Sequence, residues 1–177
     1  MMLNKIFIEL PIEKPAYPED ETYPDNRADL PVTPVKYIAS DLHPTILEAG
    51  LVASLEWLAC DFEEKNNIPL HFNSNVEEIH LDPSLTLGVF SIAQEACNNI
   101  SKHAAASSVE MYLHDEVSKL QLEIVDNGCG MDMAQQRSEA SSGLVRMYQR
   151  AISLGGEFSI ASKKEHGTIV RVCLPVF

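Results

Sequence analysis

Between Asp82 and His103 the apolar residues Leu85, Val89, Ile92, Ala93, Ala96 and Ile100 recur at i, i+4, i+7, i+8, i+11 and i+15, the spacing of one buried helical face. Asp82 and Pro83 supply an N-cap and first-turn pair at its start. The opposite side carries Glu95, Asn98, Asn99, Lys102 and His103 within an arc of roughly 120°, at about 100° per residue. Residues 52, 55, 59 and 62, with Leu51 and Leu58, predict an earlier helix that ends near Asn66–Asn67. Leu144, Met147, Tyr148, Ala151 and Leu154 predict a later one, closed by Gly155-Gly156. Alternation predicts strands at 70–73, 79–81, 108–114, 120–126, 157–162 and 168–174. A polar turn at 115–119 joins the third and fourth, and a turn with His166-Gly167 joins the last two. Weak alternation at Ile6, Ile8 and Leu10 suggests one more short strand, and residues 37–47 a helical piece interrupted near Pro44. Helix, strand, strand, helix, strand, strand is the order of an α+β protein. The expected fold is a two-layer sandwich with helices on one face of a mixed, mostly antiparallel sheet.

Composition changes this picture at one end. Pro11, Pro15, Pro18, Pro24, Pro31 and Pro34 lie among Glu13, Glu19, Asp20, Glu21, Asp25 and Asp29. This stretch has little to bury, so residues 1–34 are expected to be a disordered segment ahead of one domain at 35–177. A net charge of −13 without any Lys/Arg-rich block excludes nucleic acid and anionic membrane as natural partners. Cys60, Cys97, Cys129 and Cys173 form no C-x-x-C pair and read as reduced, mostly buried thiols of a cytoplasmic protein. No run of 18 apolar residues and no signal-peptide layout is present, so the chain reads as soluble.

Three stretches carry candidate chemistry. Glu95 and Asn99 are i, i+4 neighbours, so a carboxylate oxygen and an amide carbonyl point to one spot. Few hard oxygen ligands that leave room for water and phosphate suit Mg²⁺, and Lys102 one turn on can reach a phosphate. Taken alone, the same face reads equally well as a solvated helix surface. Asp126-Asn127-Gly128-Cys129-Gly130 follows a strand. It is either a plain turn or a strand-end carboxylate placed to accept from an exocyclic amine, with glycines permitting close approach. Ser142-Gly143-Leu144 opens a helix whose exposed N–H groups suit phosphate. Residues 132–142 are polar and aperiodic, as in a mobile loop. His71, His80, His114 and His166 lack ligand spacing and read as solvated or structural, and Trp57 as packing.

Together these stretches resemble the sensor histidine kinases. Residues 94–104, Gln-Glu-Ala-Cys-Asn-Asn-Ile-Ser-Lys-His-Ala, resemble that family's N box, and 126–130 its G1 box. Ser142-Gly143-Leu144 with Met147 and Leu154-Gly155-Gly156 resembles the G2 region. His166-Gly167-Thr168 and Val172-Cys173-Leu174-Pro175 resemble the last strand pair. Asp41-Leu42-His43-Pro44, Leu47, Gly50-Leu51 and Leu55-Glu56-Trp57 resemble the end of the dimerisation helix and the first ATPase-domain helix. The subclass implied is the short-lid one that pairs with response regulators bearing a helix-turn-helix output domain.

The resemblance implies a Bergerat-type ATP-binding sandwich, with ATP and Mg²⁺ as cofactors. It implies that Glu95 and Asn99 sit at the Mg²⁺–triphosphate, Asn99 as the direct metal ligand, and that Glu95, the catalytic residue, orients an attacking histidine or accepts a proton from it. Asn98, Lys102 and His103 would lie at the phosphates. Asp126 would recognise the adenine amine, with Thr168 supporting it through water. Gly128, Gly130, Ser142, Gly143 and Leu144 would shape the pocket, under a lid at 132–142. The implied partners are a histidine-containing dimerisation segment or chain and a response regulator.

Two departures stand out. Ser141 and Arg146 replace glycines usual in the G2 region, and Arg146 either contacts a phosphate or crowds the loop. His43 precedes Pro44, which disfavours a continuing helix, so it does not read as the phosphoacceptor. The phosphoryl acceptor is therefore expected on another segment or chain. A non-catalytic regulator that binds nucleotide or a partner, and a serine kinase of the anti-sigma-factor type, are the competing readings.

Overall fold

The computed structural model describes residues 44–116, 118–131 and 142–176. The expected strand near Ile8, the proline-rich stretch and the lid residues 132–141 lie outside these.

The first helix, α1 (Pro44–Glu48), begins at the proline that was expected to interrupt it. Pro44 sits in the first turn, where its missing N–H is no loss. Helix α2 (Leu51–Asn66) buries Leu51, Val52, Leu55, Leu58, Ala59 and Phe62, and Asn67 closes it in the left-handed conformation. Strand β1 (Leu70–Ser74) follows. The expected strand at 79–81 does not form. At the end of β1 the Ser74 hydroxyl turns the chain onto Val76, and the Asn75 amide bonds the backbone of Asp115. The chain thus leaves the sheet before Ile79, and residues 75–82 run without regular structure.

Helix α3 (Pro83–Asn99) starts as expected. Asp82 Oδ1 accepts from the Ser84 N–H at 2.8 Å and from its hydroxyl at 2.6 Å. These bonds, the hydroxyl's first, hold the Asp82 carboxyl below the usual carboxylate range. Val89, Phe90, Ile92, Ala93 and Ala96 are buried. The helix ends in one wider turn, a π-helix over Ile100–Ala104, with Ala105 in the left-handed conformation.

Strands β2 (Val109–Glu116) and β3 (Lys119–Asp126) form a hairpin, with Ser118 at φ 101° in its turn. Helix α4 (Ser142–Ser153) leads through Gly155-Gly156 into the hairpin of β4 (Glu157–Ser162) and β5 (Thr168–Pro175). The sheet order is β1-β2-β3-β5-β4. Only β1 and β2 are parallel, as a crossover through α3 requires. The sheet is mixed and mostly antiparallel, as expected.

Its inner face is written by period-two alternation. Val109, Met111 and Leu113 of β2 are buried, as are Leu120, Leu122 and Ile124 of β3 and Val170, Val172 and Leu174 of β5. The stripe on β3 then reaches Asp126, 4% exposed, and that on β5 begins at Thr168, 7% exposed. These two residues pair directly in the β3–β5 register. The last rung of an otherwise apolar face is polar.

The cysteines depart from expectation. Cys97 is buried and Cys173 half-buried, but Cys60 and Cys129 are exposed. Cys60 lies on the wet side of α2, and Cys129 in the loop after β3. Among the described residues no helix is long and apolar enough to cross a membrane.

Candidate functional site

At the polar rung the sheet and the helical layer part. A cavity of about 270 Å³ opens between the end of α3, the inner ends of β3 and β5, and the start of α4. Ala96, Ile100, Ile124, Leu144, Ile160 and Val170 give it apolar walls, while Asn99, His103, Asp126 and Thr168 supply its polar atoms. A mostly apolar recess with a few convergent polar groups is the usual form of a small-molecule site.

Asp126 is fixed by its surroundings. Its Oδ1 accepts from the Gly128 N–H at 2.8 Å. Burial pushes the carboxyl above the usual carboxylate range, opposed by hydrogen bonds from the Gly128 N–H and from the N–H and hydroxyl of Thr168. A carboxylate with bonding capacity left, facing an apolar recess, is suited to a ligand N–H donor. Thr168 stands opposite it in the strand pair.

The loop after Asp126 is clamped on both sides. The Cys129 N–H donates to the Ala104 carbonyl at 2.7 Å, and the Cys129 carbonyl accepts from Glu165 at 2.7 Å. The wide turn that ends α3 delivers that Ala104 carbonyl. A Cβ on Gly128 would collide with it, and one on Gly130, at φ 62°, with the Lys163 carbonyl. We expect Gly128→Ala to cost about 2–3 kcal/mol of stability, as backbone cannot yield like a side chain. Chemical denaturation of the variant against the wild type would measure it, and an unchanged midpoint would contradict the clamp.

Glu95 and Asn99 project from α3 toward the first turn of α4. A Cβ built on Gly143 would collide with Glu95 Oε1 and lie 3.3 Å from Asn99 Oδ1. Both oxygens therefore face a helix N-terminus across the space only glycine leaves open. Hard oxygen donors of this kind fit Mg²⁺, and the helix end fits phosphate. Glu95 already has one partner: Arg146 Nη2 donates to its Oε1 at 2.8 Å. Arg150, one turn further along α4, has its pKa lowered first by burial, with Glu95 opposing that shift and Arg146 adding to it.

Asn99, His103, Asp126, Gly130, Leu144 and Thr168 thus line one cavity. Glu95 and Gly143 flank it at the α3–α4 contact, and Gly128 is buried beneath the loop. Ser142 is the first residue of α4. Asn98 and Lys102 are exposed and do not line the cavity. The wide turn re-phases residues 100–104, so the single polar arc drawn at 100° per residue splits. Three residues were missed in the sequence. Ser162 bonds the Met131 N–H at 2.9 Å, the Gly167 carbonyl at 3.0 Å and the Thr168 hydroxyl at 3.0 Å. Asn127 Oδ1 accepts from the N–H groups of Ser107 and Ser108. Arg150 faces Glu95. Ser162 had one signal, its place at a strand end opposite Thr168; the others had none.

Residues 85–177 match the family of histidine kinase-, DNA gyrase B-, and HSP90-like ATPases. The chain is 33% identical over 137 residues to the sensor histidine kinase LiaS of Bacillus subtilis, covering 77% of this chain and 37% of LiaS. It is 32% identical over 143 residues to the signal transduction histidine-protein kinase/phosphatase DegS of Brevibacillus brevis, covering 80% and 37%. The chain therefore spans little more than a third of the length of these curated relatives. Among solved structures, the histidine kinase domain of an Erythrobacter litoralis blue-light activated histidine kinase superposes with a TM-score of 0.58 at 20% identity, covering 71% of this chain and 60% of that one. The catalytic domain of the histidine kinase ThkA superposes at 0.56 and 15% identity, covering 73% and 92%. At such identities the structural likeness speaks for the fold.

Proposed function

The chain belongs to the family of histidine kinase-, DNA gyrase B-, and HSP90-like ATPases, and on that premise we propose that it is the ATP-binding catalytic domain of a two-component sensor histidine kinase. The observation that carries the proposal is the shared cavity, with the Asp126–Thr168 rung at one end and the Glu95–Asn99 pair at the mouth of the other. In this reading Asp126 accepts from the adenine amine and Thr168 supports it. Gly128 and Gly130 let the base approach the loop, and Leu144 packs on the apolar side. Asn99 and Glu95 hold Mg²⁺, which when bound neutralises phosphate charge. The first turn of α4 at Ser142-Gly143, with His103, receives the phosphates; Asn98 and Lys102 reach them from the rim.

Transfer breaks the bond from the γ-phosphorus to the bridging oxygen of ATP, releases ADP, and forms a phosphorus–nitrogen bond to an imidazole. Glu95 takes the imidazole proton. The protein's share is positioning and charge stabilisation. The histidine comes from a dimerisation segment or another chain, and the phosphoryl group passes on to a response regulator, of the helix-turn-helix class if the short-lid resemblance holds. Residues 1–34 form a separate acidic segment, the catalytic domain covers 35–177, and the setting is cytoplasmic.

Incubating the chain with radiolabelled ATP and an excised histidine-bearing dimerisation hairpin tests this. Acid-labile label on the hairpin is the expected result. Acid-stable label would point to a serine kinase. ATP binding without transfer would favour a nucleotide-binding regulator, a reading to which the Arg146–Glu95 bond lends support by engaging the proposed base.

A further inference from the structure

Arg146 stands where the resemblance leads one to expect glycine, and its guanidinium is bonded to Glu95, the group proposed above as base and metal holder. The two ends of this pair are unequally held. The arginine side chain is 56% exposed and the glutamate 23%. Arg150 faces the same carboxylate from one turn along α4, so two guanidinium charges stand against one carboxylate. Among the described residues the Asn99 amide has no hydrogen-bond partner of its own.

An exposed ion pair is weakly held, because solvent screens it and the long side chain must be ordered to make it. A phosphate competes well for the same guanidinium, since its oxygens match the planar fork and carry more charge than one carboxylate oxygen. The carboxylate and an incoming terminal phosphate thus compete for one flexible cation at the mouth of the cavity. A nucleotide anchored on Asp126 presents that phosphate only when its polyphosphate chain is long enough to pass the Ser142-Gly143 end of α4 and reach Arg146.

We infer that Arg146 is a latch selective for triphosphate: it occupies Glu95 while no terminal phosphate is present, and leaves it for the γ-phosphate when ATP binds. A diphosphate leaves the latch closed. Glu95 is thereby released to accept a proton only when a transferable phosphoryl group is in place. The inference rests on the ATP-site reading, and Arg146 acts here as a specificity and positioning residue.

Calorimetric titration of the full chain with ATP and with ADP, each in excess MgCl₂, tests it on the wild type, Arg146→Gly and Arg146→Gln. The glutamine variant guards against loss of helix α4, since glycine is a poor helix former. We expect both variants to lose about tenfold in ATP affinity while ADP affinity stays within about twofold, the loss of one charge-assisted bond to the terminal phosphate. A merely structural role for Arg146 would weaken both nucleotides alike, and that result, or an unchanged ATP-to-ADP ratio, overturns the latch. A wild type that binds neither nucleotide overturns the ATP-site reading and the latch with it.

Discussion

Asp126→Asn is expected to lower ATP affinity by about a hundredfold or more and to leave the chain folded. One oxygen of the carboxylate accepts from the Gly128 N–H at 2.8 Å and the Thr168 donors stand beside it, so the adenine amine takes up the acceptor capacity that remains. Asparagine has only one acceptor oxygen. Whichever way its amide is turned, an N–H donor meets another donor, at Gly128 or at the base. Losing a charged hydrogen bond and stranding a buried donor costs together about 3–4 kcal/mol.

The fold should not suffer, for a reason that also fixes the pH dependence. Burial holds the Asp126 carboxyl above its ordinary range. A carboxyl whose folded-state pKa is raised costs stability while it is ionised. That cost is relieved as the pH falls through the folded value toward the unfolded one. The neutral amide removes the cost at neutral pH. In the wild type, ATP affinity should decay on acidification through that raised pKa, before ordinary carboxylates titrate. Calorimetry across that range, with thermal unfolding of the variant, checks both. An affinity flat to pH 4, or retained in the variant, would remove Asp126 from base recognition.

Asn99→Ala should be as damaging at the other end of the cavity. The Asn99 amide lies half-exposed on α3, with its Oδ1 3.3 Å from the Cβ position that Gly143 lacks. It holds no other described element in place, so truncation leaves the helix intact. What is lost is the neutral oxygen ligand, and with it the oxygen donor set that fits Mg²⁺. Removing a direct metal ligand is expected to cost about a hundredfold in Mg²⁺–ATP affinity, comparable with the upper range for disturbing even the outer shell of a metal site. Titration with ATP in MgCl₂ and in EDTA separates the effects. The variant should lose the difference between the two conditions, and a preserved difference would exclude Asn99 as the ligand.

Much of this was written plainly in the chain. The Asp82–Pro83 start of α3, the glycine closure of α4 and the two hairpins follow from capping and alternation, because each depends on neighbours in sequence. Asp126 was legible for the same reason: it continues the buried register of Leu120, Leu122 and Ile124 with a carboxylate. What failed depended on contacts distant in sequence. Residues 79–81 alternate like a strand, yet Ser74 and Asn75 tie the chain to β2 at Asp115, and residues 79–81 pair with neither outer strand of the described sheet. The wide turn at Ile100–Ala104 answers to the loop carrying Cys129, some 25 residues on. A uniform helical projection could not foresee that it would carry Lys102 out to the rim while His103 lines the cavity. Arg146 left two options open because its partner, Glu95, lies 51 residues away.

The Asp126–Thr168 rung has one more consequence. In the proposed reading base choice rests on two paired strands within the framework, apart from the stretch joining Met131 to α4. Lengthening, shortening or rewriting that stretch can change how tightly and for how long a nucleotide is kept. The same edits leave untouched which nucleobase is admitted.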